Sequence, residues 1–168
     1  PHVLVMTATP IPRTLAMTAY GDLDLSVIDE MPPNRKEIIT THTYYKDINK
    51  VYNFIYKQLS QSRQVYVVYP LIEESKVLDY KNLLEGYDNM KKIFEKKGFK
   101  ISMLHGKLTK EQKELEMINF LQNKTQLMVS TTVIEVGVNV SNATTMVVQN
   151  AEKFGLSQLH QLRGRVGR

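Results

Sequence analysis

No cysteine occurs in these 168 residues. That excludes disulfides and thiolate metal sites and fits a reducing compartment. No apolar run approaches the ~20 residues that a helix needs to cross a bilayer. The strongest, Val65 to Ile72, is interrupted by Pro70. No secretory leader is visible, so the expected location is the cytoplasm, with no membrane partner. A phosphate-cradling loop of the Walker A type is also missing. The one Gly-Lys pair is Gly106-Lys107, and the residue five before Gly106 is Ile101, not glycine. Val27-Ile28-Asp29-Glu30 looks like a magnesium-binding strand end, but it runs straight into Met31-Pro32-Pro33 and has no phosphate loop upstream. A nucleotide hydrolase needs both parts, so the chain is not expected to hydrolyse a nucleotide alone, and no metal ligands are assigned. There is no initiator methionine; the chain opens on Pro1-His2-Val3 inside an apolar run and is expected to be a piece of a longer protein.

What is present is enough for a core. Hydrophobic residues make up 42% of the chain, and the formal net charge is +5, which favours a polyanionic partner such as nucleic acid. Apolar strands alternate with amphipathic helices. Strands are predicted at Val3 to Met6, Ile38 to Thr43, Val65 to Tyr69, Lys100 to Leu104, Gln126 to Ser130 and Thr144 to Gln149, the last two buried. Helices are predicted from Pro12 to Tyr20, and over Ile48, Val51, Tyr52, Ile55 and Leu59. A third runs through Tyr80, Leu83, Leu84, Tyr87, Met90 and Phe94, broken near Gly86. A capping box, Thr109 with Gln112, opens a fourth that buries Leu115, Ile118 and Leu121. A last helix starts near Ser157 and runs into the terminal arginines. Gly21 to Lys36 holds Pro32-Pro33 and reads as an interdomain connector.

This alternation implies an α/β fold with crossover units and a parallel sheet. Ligands of such sheets sit outside the carboxyl ends of the strands. Pro70 to Glu74, His105-Gly106 and Ser130-Thr131-Thr132 therefore share one candidate edge. Three arginines occupy the last six positions, with Arg165 and Arg168 three apart, on one face if the turn is helical. Arginine presents a planar fork of donors that fits phosphate oxygens. Taken alone, these arginines read equally well as a solvated basic tail.

Three stretches carry a resemblance. Met6-Thr-Ala-Thr-Pro-Ile-Pro-Arg-Thr-Leu15 is similar to the third helicase motif, Ser130-Thr-Thr-Val-Ile-Glu-Val-Gly-Val-Asn-Val140 to the fifth, and Gln161 to Arg168 to the sixth. Together with the connector Tyr20 to Pro33 they resemble the RecG family of superfamily 2 helicases over nearly the whole chain. The bacterial transcription-repair coupling factor shares much of the motif set but differs in the connector.

The resemblance implies a RecA-like parallel sheet flanked by helices, P-loop NTPase-like without its own Walker A. Residues 1–30 would be the tail of a first motor domain, and 31–168 the second. It implies a bacterial ATP-dependent DNA helicase acting on branched or forked DNA, with ATP and magnesium held mainly by the first motor domain, and a wedge domain in the same parent chain. By residue, Arg165 and Arg168 would reach the γ-phosphate. Gln161 and Gly164 would lie at the nucleotide, Gly137 would let the backbone approach it, and Asn139 stands where many relatives carry Asp. Thr131, Thr132 and Gly106 would follow the DNA backbone. Thr7 and Thr9 would couple nucleotide state to DNA, although isolated threonines there also read as a polar strand end. Arg13 would contact DNA or the partner domain, against the default of a surface arginine; His105 is expected to be structural. The non-catalytic alternative is a nucleic-acid or protein-interaction module.

Overall fold

In a computed structural model, residues 26, 30, 37–71, 76–131 and 140–167 are described. Four parallel strands form the sheet: β1 (Gln64–Val68), β2 (Ile101–Leu104), β3 (Leu127–Ser130) and β4 (Ala143–Val148), in the order β2-β3-β1-β4. Helix α1 (Ile48–Ser60) precedes β1, α2 (Lys76–Phe94) joins β1 to β2, α3 (Lys110–Leu121) joins β2 to β3, and α4 (Leu156–Arg163) follows β4. The predicted α/β class is the observed one.

The strand β1 is buried at every position, because helices cover both of its faces. Val65, Val67 and Tyr69 point into a cluster with Ile55 and Leu59 of α1 and with Leu83, Met90 and Phe94 of α2. Tyr66 and Val68 point the other way, to Phe120 of α3 and Leu162 of α4. This alternation is the period-2 geometry of a strand. Gln64 is buried at the start of β1, where its Nε2 donates to Phe120 O at 2.6 Å and Thr125 O at 3.0 Å. It thus ties the start of β1 to the end of α3 and to the turn that follows it. At the start of α3, Gln112 N donates to Thr109 Oγ1 at 3.3 Å and Thr109 N to Gln112 Oε1 at 3.0 Å, the predicted capping box.

Four expectations are corrected. Residues 37–44 form no strand: among the described residues no strand lies beside them to complete a ladder, and Ile39 stands 89% exposed. Helix α2 runs unbroken through Gly86, whose missing side chain makes room for the Tyr69 ring. Helix α3 buries Phe120 and half-buries Met117, and leaves Leu115, Ile118 and Leu121 exposed. Strand β4 is an edge strand and half-exposed beyond Ala143, not buried. The expected strand Val3 to Met6, the helix Pro12 to Tyr20 and the connector's Pro32-Pro33 lie outside the described residues.

Candidate functional site

The carboxyl ends of β1, β2 and β3 lie side by side, as the sequence predicts for the described members of that edge. Tyr69 N donates to Ser130 O at 2.8 Å and Thr131 N to Leu104 O at 3.1 Å, extending the ladder past the strand ends. Here three buried polar atoms have no hydrogen-bond partner among the described residues: His105 Nδ1, Ser130 Oγ and Thr131 Oγ1. Such atoms are rare in a folded chain, and the three cluster at this edge. A Cβ added at Gly106 would meet nothing within 4 Å, so no described neighbour requires a glycine there and the backbone is open to approach. Lys113 Nζ donates to Gly106 O at 3.1 Å, and Lys107 Nζ stands 3.8 Å above the Tyr80 ring. Tyr80 in turn meets His105 edge-on, with ring centroids 5.1 Å apart. Burial, and after it the ammonium groups of Lys107 and Lys113, hold the His105 imidazole below its ordinary pKa. His105 is buried.

The arginine segment follows β4. Helix α4 is reached through the 3-10 turn Ala151–Lys153, and its Leu162 joins Phe120 of α3 in the core on that face of the sheet. The helix ends at Arg163; Gly164 caps it with N donating to His160 O at 3.0 Å, and Arg165 sits in the following turn with N donating to Leu162 O at 3.0 Å. Arg165 therefore lies beyond the helix, and Arg168 lies outside the described residues. Leu162 and Val166 are buried on either side of Arg165, which is itself half-buried. Its charge reaches Tyr66: burial pushes that phenol up to about 12, and the Arg165 guanidinium pulls in the opposite direction. Gln161 is exposed on the last turn of α4 and Gly164 is half-buried. The donors here are an amide and a guanidinium, a set suited to anionic oxygens.

Among the described residues, no three His, Asp or Glu side chains gather as a metal site, and no helix is long and apolar enough to cross a membrane. Residues 46–168 match the model of the helicase conserved C-terminal domain. The chain belongs to that family. This helicase domain is 54% identical to the ATP-dependent DNA helicase RecG of Synechocystis, over 100% of its own length and 20% of the relative's. It is 53% identical to that of Bacillus subtilis, over 100% and 24%. A solved structure of RecG bound to a three-way DNA junction superposes with a TM-score of 0.75 at 46% identity, covering 96% of this chain and 20% of that one. The chain thus spans between a fifth and a quarter of the length of these curated relatives. Its sheet is the RecA-like one of such helicase domains.

Of the site residues expected for such a domain, Gly106 and Thr131 meet on one edge, and Gln161, Gly164 and Arg165 share the α4 segment. Thr7, Thr9, Arg13, Thr132, Gly137, Asn139 and Arg168 lie outside the described residues. Sequence reasoning missed Lys113, Asp79 and Lys153. Asp79 is fully buried in the first turn of α2 and paired with Lys153 at 3.4 Å. An acidic residue in a first helical turn reads as dipole complementation, and nothing in spacing links it to a lysine beyond β4.

Proposed function

We propose that this chain is the second motor domain, with the tail of the first over residues 1–30, of a RecG-type ATP-dependent DNA helicase that remodels branched DNA and stalled forks in the bacterial cytoplasm. The observation that carries this reading is the similarity to RecG along the whole chain. It is supported by the polar strand-end edge and by the cationic turn that follows α4.

The nucleotide-facing half-site is the α4 segment. ATP there supplies the phosphoryl group. Arg165 and Arg168 neutralise charge on its oxygens, an effect of ~10³–10⁵ in rate where arginine fingers act. Gln161 donates from the same segment, and Gly164, Gly137 and Asn139 complete the backbone approach. In this reading ATP and magnesium are held mainly by the first motor domain. The DNA-facing half is the strand-end edge. Gly106, Thr131 and Thr132 offer amides and hydroxyls to a phosphate backbone, contacts that position the duplex without reading sequence. Arg13 adds a charge, and Thr7 and Thr9 link the two halves. Closure and reopening about the Pro32-Pro33 connector moves one set of strand-end loops against the other. The direct test is ATP hydrolysis by the full-length protein with forked DNA against linear duplex of equal length. The reading predicts strong stimulation by the fork, and stimulation by neither substrate removes it.

A further inference from the structure

Three of the ion pairs among the described residues join side chains three or four positions apart on one stretch of helix: Lys50–Asp47, Lys81–Glu85 and Lys91–Glu95. The fourth, Lys153 with Asp79, spans 74 residues. Its carboxylate is 0% exposed and its ammonium 33%. A buried pair is often replaceable by apolar side chains at no loss of stability, so stability alone is a poor account of a carboxylate taken out of water. Fixed geometry between two segments is a better one.

The two segments are informative. Asp79 lies in the first turn of α2, which covers one face of the sheet. Lys153 lies in a 3-10 turn, Ala151–Lys153, that leads from β4 into α4 on the other face. The pair links the chain that follows β1 to the chain that follows β4, neighbouring strands whose carboxyl ends are joined by the bond from Gln149 N to Val68 O at 2.8 Å. The residue after Asp79 is Tyr80, which carries His105 at its edge and Lys107 over its face. The residue after Lys153 is Phe154, buried in the core that holds α4. One turn of α2 is therefore attached both to the Gly106 loop and to the base of the helix that ends at Arg163, two residues before Arg165.

We propose that Asp79 and Lys153 form a strut that transmits the position of α4 to the Gly106 loop, and so couples nucleotide at the arginine turn to DNA at the strand-end edge. Both are positioning residues; neither touches nucleotide or DNA. The strut rests on the helicase reading above.

The test uses the full-length protein with Asp79→Asn, Lys153→Met and Lys153→Arg. Thermal unfolding, ATP hydrolysis without DNA and hydrolysis at saturating forked DNA are measured for each. The expected result for Asp79→Asn and Lys153→Met is unchanged DNA-free hydrolysis with the stimulation factor reduced on the order of 2- to 30-fold, the range of residues that carry coupling between sites. Lys153→Arg keeps the charge and retains stimulation. Should Lys153→Met fail to fold, Asp79→Asn decides, since it removes the buried charge at constant size. A lower unfolding temperature with an unaltered stimulation factor makes the pair merely structural and overturns the proposal. Absence of any stimulation in the unsubstituted protein removes the helicase reading itself, and the strut with it.

Discussion

The ring of Tyr69, at the carboxyl end of β1, lies against Gly86 in the middle of α2 and fills the space a side chain at position 86 would occupy. By helix propensity alone, Gly86→Ala would gain up to ~1 kcal/mol. Here the new Cβ overlaps a ring that is itself buried in the core, so the substitution is expected to cost about 1–3 kcal/mol, the usual penalty for overpacking. Chemical denaturation measures it, and a stabilised variant would show that the ring moves aside freely.

Helix α3 offers a second contrast. Its apolar residues Leu115, Met117, Ile118, Phe120 and Leu121 fall nearly all round the helix, so spacing does not select a face. Packing does: Phe120 is buried with its ring 4.9 Å from that of Tyr66, while Leu115 and Ile118 stand 57% and 46% exposed. Phe120→Ala is expected to cost about 3–5 kcal/mol. Leu115→Ser and Ile118→Ser should each stay within about 0.5 kcal/mol of the parent. Urea unfolding of the three variants separates the two faces, and equal losses would contradict the assignment.

The fold was therefore legible in the sequence where a local rule decides the outcome, and illegible where a distant contact does. The β-branched run at Val65 and the Thr109–Gln112 cap act within a few residues, and both are found as read. Gly86 suggested a break because its reason is a tyrosine from another element. Ile38 to Thr43 alternates weakly, like a strand, yet alternation does not provide a partner. At the candidate site, strand-end geometry alone brought His105-Gly106 and Ser130-Thr131 together. Asp79 with Lys153 joins residues 74 apart, and no spacing rule reaches that far.

His105 gives the chain a pH dependence. Its pKa lies below 6.5 in the folded state, from burial first and then from Lys107 and Lys113. Below about pH 6.5 the unfolded chain binds a proton that the folded chain refuses, so stability falls as pH drops through that value and levels once the folded imidazole titrates. His105→Phe keeps the edge contact with Tyr80 and should flatten this part of the profile. An unchanged slope between pH 7 and 5 in the variant would assign the effect to other groups.

The account turns on Arg165, held between buried Leu162 and Val166 in the turn after α4. The measurement that tests it most directly is ATP turnover by the full-length protein on forked DNA with Arg165→Ala, and Arg168→Ala alongside. The expected result is a loss of ~10³–10⁵ in turnover with the fold intact. Turnover equal to that of the unsubstituted protein in both variants would contradict the half-site and leave the arginine turn as a solvated basic tail.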